Sequence, residues 1–160
     1  MPDIDLQEWQ KSAKLNKKKY AGFLKKNKNA KTYNRLGDLH DEAFSKIDCL
    51  QCANCCKHHS PRFKQPDIKR IAKFLGMKEG AFIQEYLRLD EDNDFVTQVQ
   101  PCRFLNDDNT CAIYDVRPSD CARYPYTDED VLIKRETLTL KNSEVCPAVF
   151  YILEKLTQIQ

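Results

Sequence analysis

Apolar stripes at helical spacing, a few short β-prone stretches between polar turns, and eight cysteines set beside turns and prolines predict a mostly α-helical fold with a small β hairpin. At 160 residues there is room for one modest hydrophobic core. The expected helices are short and their stripes narrow. The expected class is therefore a small metal-stabilised α+β domain, in which the cysteines hold loops that the core alone would leave loose.

The elements follow in order along the chain. Residues 5–26 carry a stripe of Leu6, Trp9, Ala13, Tyr20 and Leu24 on a lysine-covered helix, with a lapse at Asn16–Lys17. Asn27 to Thr32 is a polar connection. A second helix fits 33–47, with Tyr33, Leu36, His40, Ala43 and Ile47 on one face, and it runs into the first cysteine group. Ser60-Pro61-Arg62-Phe63 reads as a turn or short extended piece. Pro66 then stands in the first turn of a helix whose inward residues are Ile68, Ile71, Ala72 and Leu75, and Gly76 ends it. A partner helix over 79–89, with Phe82, Ile83, Tyr86 and Leu89 inward, completes an αα-hairpin.

Residues 90–94 are an acidic turn, Phe95–Val99 a short strand, and Asn106-Asp107-Asp108-Asn109 a tight turn between Cys102 and Cys111. Pro118 and Pro125 bracket Cys121 in an irregular stretch. The alternation at 131–133 and 137–140 predicts a small hairpin. Pro147 opens a last helix with Val149, Ile152, Leu153 and Leu156 on one side. Two segments result: a basic N-terminal helical extension, 1–35, and a cysteine-rich metal-binding domain, 36–160.

Composition narrows the setting. The chain is 41% apolar and 31% charged, with a mean hydropathy of −0.67. No apolar run approaches the roughly 18 residues of a membrane span, so no membrane partner is expected. The opening MPDIDLQEWQ has no apolar core and does not read as a signal peptide. The expectation is a cytoplasmic protein, where disulfides are disfavoured. Crowding argues against a disulfide scaffold too, because Cys49, Cys52, Cys55 and Cys56 lie within eight residues.

Metal is the alternative use for so many thiols. Cys49-x2-Cys52 is a tight loop that lets two thiolates meet one ion, and Cys55 continues a ferredoxin-like spacing. Cys55 and Cys56 are adjacent, so their side chains are expected to point apart and to serve two sites or two metals of one cluster. The second group, Cys102, Cys111, Cys121 and Cys146, is sparse, and each lies beside a proline or a turn. The cofactor expected is zinc or an iron–sulfur cluster, with all eight cysteines as candidate ligands. No short-loop pair occurs in the second group, so residues 49–56 are expected to lie against the loop carrying 102–121, sharing at least one ion. His58 and His59 read as loop residues before they read as ligands, and His40 as a core residue. Lys57, Arg117 and Arg123 are candidates to offset the charge of a thiolate centre.

These residues resemble a known family, the cysteine-cluster family of zinc- or iron-chelating domains. The resemblance rests on Cys49-x2-Cys52-x2-Cys55-Cys56, then Pro101-Cys102-Arg103-Phe104-Leu105, Cys111-Ala112-Ile113-Tyr114, Arg117-Pro118, Cys121 and Tyr124-Pro125. Ile68-x2-Ile71-Ala72-x-Phe74-Leu75-Gly76 and Phe82-x3-Tyr86-Leu87 look like its helical pair. It covers roughly 49–150 and implies metal chelation. It also implies a distant similarity to flagellin lysine N-methylase-like proteins. In the family pattern an arginine directly follows the cysteine at 121; here Ala122 intervenes and Arg123 comes second.

Three function classes follow. The favoured one is a metal-binding protein with a structural or electron-carrying centre. A methyltransferase-like or redox enzyme is the alternative. It ranks lower because no G-x-G-x-x-G loop or His-Glu-x-x-His motif is present, and eight cysteines in eight coordination positions leave none open for substrate. The third class is nucleic-acid binding. Residues 11–35 hold ten Lys or Arg and no Asp or Glu, and Tyr20, Phe23 and Tyr33 could stack on bases. The competing reading turns those aromatics into the core of a solvated helix, and it ranks higher. A protein partner is left open.

Overall fold

The structure, a computed structural model, describes residues 4–158; residues 1–3 and 159–160, the outer ends of the expected 1–35 and 36–160 segments, lie outside the described residues. The chain forms two compact units, Met1–Asp48 with Pro125–Gln160, and Cys49–Tyr124.

The first unit opens with α1 (Trp9–Leu15) and α2 (Lys17–Lys26). The single helix expected over 5–26 is instead two, broken at Asn16, where the apolar stripe lapses and the Asn16 side chain donates to Glu154 Oε1 at 3.0 Å. Two further helices follow, α3 (Ala30–Tyr33) and α4 (Leu36–Lys46). The Asn29 side chain caps α3 by accepting from Thr32 N at 3.1 Å.

In the second unit α5 (Cys49–Cys52) and α6 (Asn54–His58) carry the first cysteine group, and α7 (Gln65–Phe74) and α8 (Glu79–Tyr86) form the helical pair. Gly76, at φ +68°, ends α7 in a Schellman arrangement. Its N–H reaches Lys73 O at 3.2 Å, and Met77 N reaches Ala72 O at 2.9 Å. Strand β1 (Leu87–Leu89) pairs antiparallel with β2 (Phe95–Thr97), Leu87 opposite Thr97 and Leu89 opposite Phe95. The expected helix over 79–89 thus stops at Tyr86, because Leu87 joins the ladder. A 3-10 turn (Tyr114–Val116) and α9 (Ser119–Arg123) close the unit, so Cys121 sits on a short helix instead of an irregular stretch.

The chain then returns to the first unit with α10 (Val131–Lys134), α11 (Glu136–Ser143) and α12 (Pro147–Gln158). The hairpin expected at 131–133 and 137–140 is therefore incorrect; both stretches are helical. The alternation of Thr137-Leu138-Thr139-Leu140 is a β signal in isolation. Here Leu132, Ile133, Thr139 and Leu140 are buried on the two helices, and the Thr139 hydroxyl donates to Leu132 O at 2.5 Å. Packing decides over local pattern.

Each unit has its own core. In the first, α12 supplies Val149, Ile152, Leu153 and Leu156, packed with Tyr20, Leu24, Leu36 and Leu39. Tyr20 is fully buried and donates its hydroxyl to Glu154, while Phe23 and Tyr33 pack half-buried on the same core. Three lysines of α2 pair with acidic residues of this unit, Lys17 with Glu144 at 3.3 Å, Lys19 with Glu154 at 3.0 Å and Lys25 with Glu136 at 3.9 Å. His40 is half-buried, its Nδ1 2.7 Å from Thr127 Oγ1. The second core is smaller: Phe63, Ile68, Ile71, Ala72, Phe82, Leu87, Phe104 and Ile113. Among the described residues no helix is long and apolar enough to cross a membrane.

Candidate metal centre

Seven of the eight cysteines belong to the unit Cys49–Tyr124; Cys146, half-buried against the other unit's core, belongs to the first unit. Cys52, Cys55, Cys56, Cys102, Cys111 and Cys121 carry free thiols.

The first group is split by Ala53, which is buried and adopts φ +45°. A left-handed alanine costs about 1 kcal/mol. It breaks what would otherwise be one helix, so Cys49 and Cys52 stand on α5 and Cys55 and Cys56 on α6. Cys55 is the main group that pushes up the neighbouring Cys56 thiol.

Residues 49–56 and the 102–121 loop meet through the backbone. Cys102 N donates to Cys56 O at 2.9 Å, and Asn109 Nδ2 to Leu50 O at 2.7 Å. Cys102 follows a cis Gln100–Pro101 peptide and opens a turn closed by Leu105 N to Cys102 O at 3.0 Å. An isolated bridge pairs Leu105 with Cys111, and Ala112 N donates to Phe104 O at 2.8 Å. Two cysteine-bearing turns thus lie side by side, anchored by Phe104. Its ring stacks on Tyr86 at 4.9 Å, and the Arg103 guanidinium covers Tyr86 at 4.4 Å.

Electrostatics gathers four sulfurs into one set. The Cys56 thiol is pushed up by Cys55 first and then by burial. Cys102 is pushed up by burial first and then by Cys56 and Cys111, against the N–H groups of Phe104 and Leu105, which bond its sulfur. Cys111 is likewise raised by burial and by Cys56, with the Ile113 N–H and Arg117 opposing. Cys121 is raised by surrounding protein and by Cys56, Cys102, Cys111 and Asp120. Cys121 keeps an exposed surface, so water offsets part of the burial effect and the neighbouring sulfurs are the firmer cause. Amide N–H groups aimed at sulfur favour thiolate, as metal-bound cysteines require. Of the cations named from sequence, Arg117 opposes the rise at Cys111 and Lys57 that at Cys56. His58 is exposed; His59 is half-buried and stacks on Tyr124 at 4.9 Å.

Among the described residues no three His, Cys, Asp or Glu side chains converge on one ligation point. The donor set nonetheless fits a thiophilic metal by its chemistry: thiols at Cys102, Cys111 and Cys121 that all feel the charge of Cys56, two of them favoured as thiolates by nearby backbone N–H groups.

Sequence reading passed over Asp67, a buried carboxylate on α7 that reaches the start of α9. Its place three residues after Lys64, at the head of a helix opened by Pro66, is a capping signal. Nothing local to Asp67 points to α9.

A mostly helical chain with a small hairpin and thiols gathered from separate segments defines a small cysteine-cluster domain. The chain belongs to the family described as "Putative zinc- or iron-chelating domain", which matches residues 48–147. No curated protein and no solved structure matches the chain, and neither search supports the similarity to lysine N-methylase-like proteins.

Proposed function

We propose that this protein holds zinc or an iron–sulfur centre through cysteine thiolates, in a structural or electron-carrying role and in a reducing, cytoplasmic setting. The first ligands in this reading are Cys56, Cys102, Cys111 and Cys121. The observation that carries it is the Cys102–Cys56 backbone hydrogen bond, which with the Leu105–Cys111 bridge brings the segments of Cys56, Cys102 and Cys111 together, while Cys121 feels the charge of all three. Cys49, Cys52 and Cys55 would serve a second ion or further cluster irons, and Cys146 remains the eighth candidate ligand.

The chain's own contribution is a set of thiols whose protons a metal must displace. All four are pushed upward, so they are protonated at neutral pH without metal, and binding releases protons. The amides at Cys102 and Cys111 stabilise the thiolates once formed. When bound, zinc would crosslink the loops, and an iron–sulfur centre would add one-electron chemistry.

The test is purification without oxygen, followed by metal content and visible absorption. Brown colour with iron and sulfide identifies a cluster; colourless protein with zinc identifies a zinc–thiolate site. Wild-type protein with neither metal, and no uptake of either under reducing conditions, overturns the reading.

A further inference from the structure

The thiol set is held from two directions. Cys56, Cys102 and Cys111 are tied to one another by the Cys102–Cys56 backbone bond and the Leu105–Cys111 bridge. Cys121 takes no part in those bonds. It stands on α9, and the chain leading into α9 is gripped by α7. The Asp67 side chain, only 3% exposed, accepts from Ser119 N at 3.1 Å and from the Ser119 hydroxyl at 3.4 Å. Arg70 pairs with Asp67 at 2.8 Å and donates to the carbonyls of Arg117 at 2.8 Å and Val116 at 3.3 Å. Asp120, next to the cysteine, is held by Arg62 at 3.1 Å and Lys64 at 3.4 Å.

A helix cap alone would not need this arrangement. Capping α7 uses one carboxylate oxygen, which accepts from Lys64 N at 3.0 Å, and a cap works at the surface. Burying the carboxylate carries a desolvation cost that only good partners offset. Here the partners include a segment 52 residues further along the chain, two residues before a candidate ligand.

We propose that Asp67, with Arg70, is the positioning residue of the metal centre, setting where Cys121 stands relative to the other three thiols. This rests on the thiolate reading above. Cys121 is the exposed member of the four, so the α7 clamp governs how firmly the fourth ligand closes over the metal and how fast the metal leaves.

The test uses the full-length protein, stripped of metal, reduced and titrated with cobalt(II), whose charge-transfer bands report the number of thiolate ligands. Asp67→Asn keeps the shape and removes the charge. It is expected to weaken cobalt binding about 10-fold, as loss of a supporting partner typically does, and to lower the bands toward three-thiolate intensity. Cys121→Ser should show the same bands, and adding Asp67→Asn to it should cause no further loss. An equal additional loss in the Cys121→Ser background means a general packing role and overturns the proposal. So does an unchanged spectrum in Asp67→Asn, or wild-type binding by Cys121→Ser. Wild-type protein that binds neither cobalt nor zinc overturns the thiolate reading itself. If circular dichroism shows Asp67→Asn unfolded, Arg70→Gln carries the same comparison, because its side chain is 41% exposed and its loss frees the carbonyls of Val116 and Arg117 while Asp67 keeps the N–H groups of Lys64 and Ser119.

Discussion

Replacing Phe104 with alanine tests whether the cysteine-bearing unit depends on both its small core and the proposed metal. Phe104 is 5% exposed, stacks on Tyr86 and belongs to a core of eight buried residues. Truncating such a ring costs about 3–5 kcal/mol. A unit of about 76 residues has roughly 4–11 kcal/mol of stability at typical values per residue. The substitution therefore removes about a quarter of that stability or more, up to all of it. Metal at 100 times its dissociation constant returns about 2.7 kcal/mol. Thiol reactivity in urea reports this unit, since seven of the eight cysteines lie in it, and fluorescence of the single tryptophan, Trp9, reports the other. With a urea slope near 2 kcal/mol per molar, the metal-free midpoint for thiol exposure should fall by about 2 M. Circular dichroism with zinc present should recover about 1 M of that. A metal-free shift below about 0.5 M, or no recovery with zinc, refutes the view that core and metal stabilise the same unit.

Three further outcomes are expected. Ala53→Gly relieves a left-handed residue, worth about 1 kcal/mol, but loses a buried methyl of about 0.8 kcal/mol. Urea melts should thus differ from wild type by about 0.5 kcal/mol or less, whereas Ala53→Val, β-branched at φ +45°, should cost more than about 2 kcal/mol. His58→Ala should leave metal per chain unchanged, because the ring is exposed, while Cys56→Ser and Cys102→Ser should each lower it; elemental analysis decides. Burial works to raise the Asp67 carboxyl, but Arg70 and the N–H groups of Lys64 and Ser119 win and hold it below the ordinary aspartate range. Its stabilisation is full above an unfolded pKa of about 3.9 and is lost as pH falls through the lower folded value. Metal-free melts from pH 5 to pH 2 should show that loss in wild type and a smaller one in Asp67→Asn; identical slopes would contradict it.

Local chemistry was legible from the residues alone. The proline that opens α7, Gly76 at its end and the polar turn before Phe95 mark boundaries that the structure reproduces, because each acts through its own backbone within a few residues. The cysteine motifs, too, pointed to the family whose pattern matches residues 48–147. Residues 131–140 went the other way: a β-like alternation became α10 and α11, because the buried sides of those helices have a core to enter.

The composition of the candidate site depends on contacts that no spacing encodes. Cys56 meets Cys102 across 46 positions of sequence and Asp67 meets Ser119 across 52, and the energy of either contact exists only after the chain has closed the intervening loop. So the sequence determined that this is a mostly helical, cysteine-rich domain of the cysteine-cluster family. Tertiary structure decided that the Cys56 segment meets the Cys102 turn, and that a buried aspartate reaches toward the helix that carries the exposed Cys121. Hydrogen bonds and sulfur–sulfur electrostatics act over a few ångströms, and only the folded backbone brings those groups within that reach.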